Sequence, residues 1–85
     1  MRLIFSASFA KKLQKLIKKN TDWEYRVNKT IKLIKNNPKH PSLKLHKLKN
    51  TEVVSAYVNM SVRILFLQEE DVIFFIDIGT HEEVY

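Results

Sequence analysis

The sequence has no cysteine, a single glycine and two prolines among its 85 residues. Without cysteine it can form no disulfide, no thiolate metal site and no thiol nucleophile. With so little glycine and proline it has no flexible linker, and its length suits one domain, residues 1–85. It also lacks an apolar run close to the roughly 20 residues of a membrane span, and its N-terminal apolar run is too short for a secretory signal. We therefore expect a single soluble domain located in the cytoplasm.

The basic residues are concentrated in the first half of the chain. Residues 1–49 contain fourteen Lys and Arg against Asp22 and Glu24, a net charge of +12, whereas residues 50–85 have a net charge of −6. Such asymmetry favours a polyanionic partner for the basic half, either a nucleic acid or an acidic protein segment. Surface lysine that only keeps a small protein soluble is the alternative, and charge alone does not decide between the two.

Two segments of the first half have the apolar spacing of amphipathic helices. Their apolar residues recur at the 3.6-residue period: Phe9, Leu13, Leu16 and Ile17 in the first, and Val27, Ile31 and Ile34 in the second. Ser8 is expected to cap the first helix, which runs through Asn20. Thr21 and Glu24 have the spacing of a capping box and would start the second helix, which ends near Asn36 before a proline.

The second half has the pattern of short strands. Apolar runs occur at residues 2–6, 53–58, 62–67 and 72–78, and the short connections between the last three predict an antiparallel meander. In the last run, strand alternation puts Val72, Phe74, Ile76 and Ile78 on one face and Ile73, Phe75 and Asp77 on the other. Both faces are mostly apolar, which predicts a central strand covered by helices on at least one side.

These elements together predict an α+β domain. It consists of an N-terminal strand that joins the sheet, a two-helix hairpin, and an antiparallel β-meander that forms a small curved sheet. Residues 43–49 fit neither period well, so we expect an irregular strand or a loop there.

Histidine is the first candidate for chemistry, because its ordinary pKa near 6.5 allows proton transfer in both directions at neutral pH. His40 lies in a polar break and suggests a solvent-exposed loop residue. His46 lies among leucines, where a packed histidine and a functional one are both reasonable. His81 directly follows the most apolar strand, so the sheet could deliver it to a functional edge, or it could simply be a C-terminal residue. The spacing of the three gives no support for a metal site.

Arg63 is the second candidate, since it is the only cation of residues 50–85 and interrupts an apolar strand. The guanidinium could form a structural ion pair with Asp77 or a glutamate, or it could bind a phosphate through its two parallel N–H donors. Tyr57 and Tyr85 each have two interpretations as well. Either ring could pack in the core, or it could stack on a base and donate a hydrogen bond.

Three segments become recognisable when they are taken in order and at their spacing. They are residues 37–49, residues 62–66 with the run Val-Arg-Ile-Leu-Phe, and residues 77–85, which end in Gly-Thr-His-x-x-Val-Tyr. Together they resemble the RelE/ParE superfamily of bacterial and archaeal toxins, over essentially the whole chain. The terminal element looks most like the RelE/YafQ-like branch of messenger-RNA interferases.

This resemblance implies a type II toxin that enters the ribosomal A site and cleaves messenger RNA there. The RNA 2′-hydroxyl would be the nucleophile, so neither a metal nor a cofactor is expected. By similarity, His81 would transfer protons, Arg63 would hold the scissile phosphate, and Tyr85 would orient the substrate or share in proton transfer. Four further residues would bind RNA: Lys44, His46, Lys47 and Lys49. The implied partners are the ribosome, messenger RNA and an acidic antitoxin encoded beside the toxin.

A second function on the same fold stays open. Related nucleases carry Lys, His or other polar catalytic groups on the strand before the arginine, whereas this sequence has Ser55, Tyr57 and Asn59 there. That difference favours a non-enzymatic protein, either a ParE-like inhibitor of DNA gyrase or a degenerate toxin that only binds its antitoxin. His81 and Tyr85 favour the nuclease.

Overall fold

The computed structural model describes residues 1–80. Along the chain its elements are β1 (Arg2–Phe5), α1 (Ala7–Lys19), α2 (Asp22–Asn36), a 3-10 helix (Pro41–Leu43), β2 (His46–Lys47), β3 (Val54–Tyr57), β4 (Val62–Glu69) and β5 (Val72–Thr80). The five strands form one sheet in the order β1-β5-β4-β3-β2, with β1 parallel to β5 and the other pairs antiparallel. This confirms the predicted α+β fold, including the N-terminal strand, the helical hairpin and the meander.

The core lies between the two helices and one face of the sheet. Its fully buried members come from both helices, the 3-10 helix and three strands: Phe9, Val27, Ile34, Leu43, Ala56, Val62, Ile64, Phe66, Ile73, Phe75 and Ile78. Phe75 joins β5 to α1, since its ring centroid lies 5.7 Å from that of Phe9 and 4.8 Å from that of Phe5. The helices therefore cover one face of the sheet, and β5 is an interior strand as predicted. Within residues 1–80, no helix has the length and apolar character needed to cross a membrane.

The first helix begins earlier than predicted, because Ser6 rather than Ser8 caps it. Ser6 has an extended backbone directly after β1, and its Oγ accepts a hydrogen bond from the backbone N–H of Phe9 at 3.0 Å. The same hydroxyl donates to the carbonyl of Ile76 in β5. Ser8 lies inside the first turn, and its hydroxyl donates to the Asp77 carboxylate instead.

The predicted capping box of α2 is also wrong. Thr21 has helical backbone angles and makes no capping hydrogen bond through its side chain. The preceding residue takes the role, because Asn20 Oδ1 accepts from the backbone N–H of Asp22 at 2.9 Å. Asn20 has extended backbone, which lets its side chain turn back onto the first turn of α2.

A register shift of the β-bulge type changes the face assignment predicted for β5. Phe75 pairs with Phe66 and Asp77 pairs with Leu65, so Ile76 is an extra residue on β5. After Ile76, the shift reverses the face of the sheet to which each side chain points. Ile78 therefore joins Phe75 in the core, whereas simple alternation put these two side chains on opposite faces.

The bulge also directs Asp77 towards α1. Its carboxylate forms an ion pair with Lys12 Nζ at 3.0 Å and accepts from the backbone N–H of Ile78 at 2.9 Å. The start of α1 and the middle of β5 are thus joined by polar contacts as well as by the aromatic core.

Candidate functional site

The face of the sheet opposite the helices carries polar side chains near its centre. On β3 and β4 the core residues Ala56, Val62 and Ile64 point towards the helices. Their neighbours along each strand therefore point to the opposite face. These neighbours are Ser55 and Tyr57 on β3 and Arg63 on β4, and Tyr57 lies directly opposite Arg63 in the register.

Arg63 is held by three hydrogen bonds within the chain. Its Nε donates to Ser55 Oγ at 2.6 Å, and its Nη2 donates to the backbone carbonyl of Lys44 and to that of Ser55, the latter at 3.4 Å. Ser55 is completely buried, whereas Arg63 is half-buried. The guanidinium is therefore fixed at its inner edge, and a fixed cation needs less ordering when it binds an anion.

The structural ion pair considered for Arg63 is not present within residues 1–80. Asp77, the predicted partner, is bound by Lys12. In this described part of the chain no carboxylate forms an ion pair with Arg63, and no hydrogen bond reaches its Nη1. Serine and carbonyl oxygens anchor the side chain without neutralising its charge, which leaves the charge available to an anion.

Lys44 connects Arg63 to Tyr57. It ends the 3-10 helix in the left-handed region, with φ of 45°, and this turn presents its carbonyl to Arg63. Its Nζ lies 4.6 Å from the centroid of the Tyr57 ring, within the range of a cation–π contact. We call Lys44, Ser55, Tyr57 and Arg63 the Arg63 cluster. It contains two cations and one half-buried aromatic ring.

A buried glycine, Gly79, lies beside the Arg63 cluster on β5. It lies directly opposite Arg63 on β5, and its backbone is not in the left-handed region. A glycine there is not needed to form a turn. Its effect is steric, because β5 places no side chain beside the guanidinium at this position.

The other predicted RNA-binding residues lie on β2 and in the loop after it, next to Ser55 of this cluster. His46 is exposed on the edge strand β2, which excludes the packed alternative, and it pairs with Ser55 rather than with Arg63. Two strand spacings separate it from the strand of Arg63, roughly 9–10 Å. Lys47 is exposed and forms an ion pair with Glu52 at 3.3 Å, while Lys49 is exposed in the loop after β2.

Three further residues complete the predicted set. His40 is half-buried rather than fully exposed, and its Nδ1 accepts from the backbone N–H of Ser42, so it caps the 3-10 helix. His81 and Tyr85 lie outside the described residues.

Sequence reasoning misses the role of Ser55. The sequence shows it only as a position without the catalytic histidine or lysine of related nucleases, whereas in the fold it orients Arg63. The sequence pattern that could have indicated this role is weak. A small polar residue alternates with apolar ones on β3, but only the register of β3 with β4 shows that it lies within reach of Arg63.

Comparison with known proteins finds similarity in structure but none in sequence. No protein-family model matches the chain, and no curated protein matches it. A copper-bound mutant toxin from Helicobacter pylori superposes with a TM-score of 0.86 at 23% identity, over 100% of this chain and 99% of that one. YafQ from Escherichia coli, solved also in a complex with DinJ, gives 0.81 at 21% identity over 100% and 99%. A YoeB/ParE toxin from Agrobacterium tumefaciens gives 0.83 at 16% over 95% and 99%.

The chain therefore has the RelE/YafQ toxin fold over its whole length. This confirms, for the fold, the resemblance found in the sequence. Identities of 16–23% establish the architecture only, so the function has to be argued from the site.

Proposed function

We propose that this chain is the toxin of a type II toxin–antitoxin system and that it cleaves messenger RNA on the ribosome. One observation carries the proposal. Arg63, on the face of the sheet opposite the helices in a RelE/YafQ fold, is fixed by Ser55 and by the Lys44 carbonyl and has no carboxylate partner among residues 1–80. A preorganised cation of this kind is suited to a phosphate whose charge increases in the transition state.

The reaction needs no group beyond the RNA and the protein. The 2′-oxygen attacks the adjacent phosphorus, the bond to the 5′-oxygen breaks, and the products are a 2′,3′-cyclic phosphate and a 5′-hydroxyl. Arg63 stabilises the additional charge on the phosphoryl oxygens through Nη1, which no hydrogen bond within residues 1–80 reaches. Lys44, whose ammonium lies over the Tyr57 ring, adds a second cation beside it.

Proton transfer is assigned to residues beyond the Arg63 cluster. The cluster itself has no imidazole or carboxylate, and His46 is exposed two strands away from Arg63. The family resemblance supports His81 as the acid and base, with Tyr85 orienting the substrate. Lys47 and Lys49, both exposed on the β2 side of the sheet, would bind RNA phosphates in a salt-dependent manner.

The proposed protein partner is an acidic antitoxin in the cytoplasm. Two observations support it. YafQ, which has the same fold, forms a complex with DinJ, and residues 1–49 of this chain have a net charge of +12. An acidic, partly disordered segment would associate with this half and cover the Arg63 cluster.

A non-enzymatic toxin is the second candidate. It is favoured by the internal hydrogen bonds of Arg63, because Nε and Nη2 are already used to hold the side chain. It is favoured also by the absence of an imidazole or a carboxylate within the Arg63 cluster. Such a protein would inhibit DNA gyrase, as ParE does, or would only bind its antitoxin.

Primer extension on a defined messenger in a reconstituted translation reaction tests the proposal. The purified chain is compared with Arg63→Ala, Arg63→Lys and His81→Ala, and with Lys32→Ala as a control that removes an exposed cation from α2. We expect ribosome-dependent 5′ ends that vanish with Arg63→Ala and His81→Ala and persist with Lys32→Ala. Arg63→Lys keeps the charge but loses the fork of donors, so it should cleave poorly.

The second candidate predicts a different result. Intact messenger, at protein levels that still arrest growth, would exclude the nuclease. Circular dichroism of each variant ensures that lost cleavage is not lost folding.

A further inference from the structure

A groove of about 490 Å³ lies beside the Arg63 cluster, between α2 and the end of β3. Its floor is apolar and is formed by Leu33 of α2, Leu43 of the 3-10 helix and Val58 after β3. A volume in this range, with an apolar floor and a few polar groups at the rim, is typical of clefts that bind small molecules.

The rim of the groove combines an exposed aromatic ring with cations. Tyr25, on α2, is 71% exposed, so its ring is accessible to a ligand at the rim. Arg26 and Lys29 lie beside it on the same helix and are both exposed. Within residues 1–80 neither forms an ion pair. Asp22 also lies on the rim, so the lining keeps a net charge of +1.

Tyr57 belongs to both the groove and the Arg63 cluster. It lines the groove, it lies opposite Arg63 in the register, and Lys44 Nζ lies over its ring. The groove and the Arg63 cluster are therefore neighbours that share one residue. Alternating cations and exposed aromatic rings along one path are the general means by which proteins bind single-stranded nucleic acid.

We infer that this groove binds one nucleotide of the RNA strand whose scissile phosphate lies at Arg63. The base stacks on Tyr25 above the apolar floor, and Arg26 and Lys29 bind the neighbouring phosphate. The inference rests on the proposed function and adds a second binding position to it. An acidic protein segment in the groove is the competing occupant.

The stacking contact is tested by fluorescence anisotropy with a labelled single-stranded RNA of about eight nucleotides, without ribosomes. Tyr25→Ala should weaken binding about five-fold or more, the effect of losing one base–aromatic stack. Tyr25→Phe keeps the ring and should restore binding. Equal binding by the original chain and Tyr25→Ala would overturn the inference.

The phosphate contacts are tested by the salt dependence of the same binding. Arg26→Gln with Lys29→Gln should reduce the slope of log K against log salt by about 0.7 for each phosphate that is no longer bound. Lys32→Gln with Lys35→Gln is the matched control, since it removes two exposed cations from the same helix outside the groove. If the control variant reduced the slope as much as the groove variant, the inference would be overturned. RNA would then be attracted by the positive charge of the helix in general and not by the groove.

Two further outcomes separate this inference from the proposed function. If the original chain cleaves no messenger but Tyr25→Ala still loses RNA affinity, the groove is a nucleic-acid site and the nuclease proposal fails alone. If cleavage is present and every groove variant binds RNA normally, the groove inference fails alone. Binding of polyglutamate, lost on Arg26→Gln with Lys29→Gln while RNA binding persists, would assign the groove to an acidic protein segment and overturn it.

Discussion

At the scale of single residues, Arg63 is important because it is fixed and still charged. Its hydrogen bonds go to a hydroxyl and to backbone carbonyls, which stabilise the guanidinium without cancelling its charge. Binding a phosphate then costs little side-chain entropy, since the rotamer is already set. Gly79, opposite Arg63, means that β5 places no side chain beside the guanidinium at this position.

Removing the hydroxyl of Ser55 should reduce both stability and activity. Ser55→Ala leaves the Arg63 Nε–H without its partner at a half-buried position, and we expect the free energy of unfolding to fall by about 1–3 kcal/mol. Cleavage should fall further than this stability loss explains, because Arg63 loses its orientation. Urea denaturation and primer extension measure the two effects. Ser61→Ala, at an exposed serine, is the control, and equal effects of both variants would contradict the role given to Ser55.

Lys44 allows the contributions of backbone and side chain to be separated. Its φ of 45° is unfavourable for any residue with a Cβ, so Lys44→Gly should be about 1 kcal/mol more stable to urea than Lys44→Ala. Both variants remove the ammonium over Tyr57, so both should weaken RNA binding equally. If only Lys44→Ala weakened binding, the backbone turn and not the charge would be the functional feature.

At the scale of elements, the junction of β1, α1 and β5 organises the molecule. One serine ends the strand, caps the helix and binds β5, while the bulge at Ile76 directs Asp77 to Lys12 of α1. This ion pair is partly exposed and is worth little by itself. It connects α1 with the half of β5 that reaches Gly79.

Substitution of two serines distinguishes the observed cap from the predicted one. Ser6→Ala should lower the free energy of unfolding by about 1 kcal/mol or more, since it loses the cap of α1 and the bond to the Ile76 carbonyl. Ser8→Ala loses one long hydrogen bond of 3.3 Å at an exposed position and should change little. Thermal unfolding followed by circular dichroism measures both. A larger effect at Ser8 would contradict the observed cap.

At the scale of the whole molecule, the net charge differs between the helical part and the sheet-forming part of the chain. The net +12 of residues 1–49 covers both helices and the 3-10 segment, and the −6 of residues 50–85 lies mostly in turns of the sheet and near the C-terminus. Arg63 is the exception, since it is the only cation of residues 50–85. Lys44, which belongs to the basic half, contacts Arg63 through its backbone carbonyl. The two halves of the chain therefore contribute jointly to one positive site.

Association with the proposed acidic antitoxin should therefore depend on salt. We expect the association rate constant to fall at least about ten-fold between low and near-physiological ionic strength, because screening weakens the long-range attraction of the +12 half. Stopped-flow fluorescence with the protein encoded beside this chain measures it. A rate that does not change with salt would mean that the lysines serve solubility only.

The sequence by itself determined the order and type of the elements. The 3.6-residue period located both helices, and the β-branched and aromatic runs located β1 and the three long strands, because these patterns depend on neighbours in the chain. It also identified Arg63 as exceptional, since a lone cation in an apolar strand needs a partner. His81 and Tyr85 stay predictions from resemblance.

Only the tertiary structure decided what each residue contacts. The partners of Arg63 lie 8 and 19 residues away in the chain, and the bulge at Ile76 reversed the face on which Ile78 lies. The groove at Tyr25 likewise joins a helix to the end of a distant strand. Such contacts depend on register and on packing between elements, and a one-residue shift in either moves a side chain to the other face of the sheet.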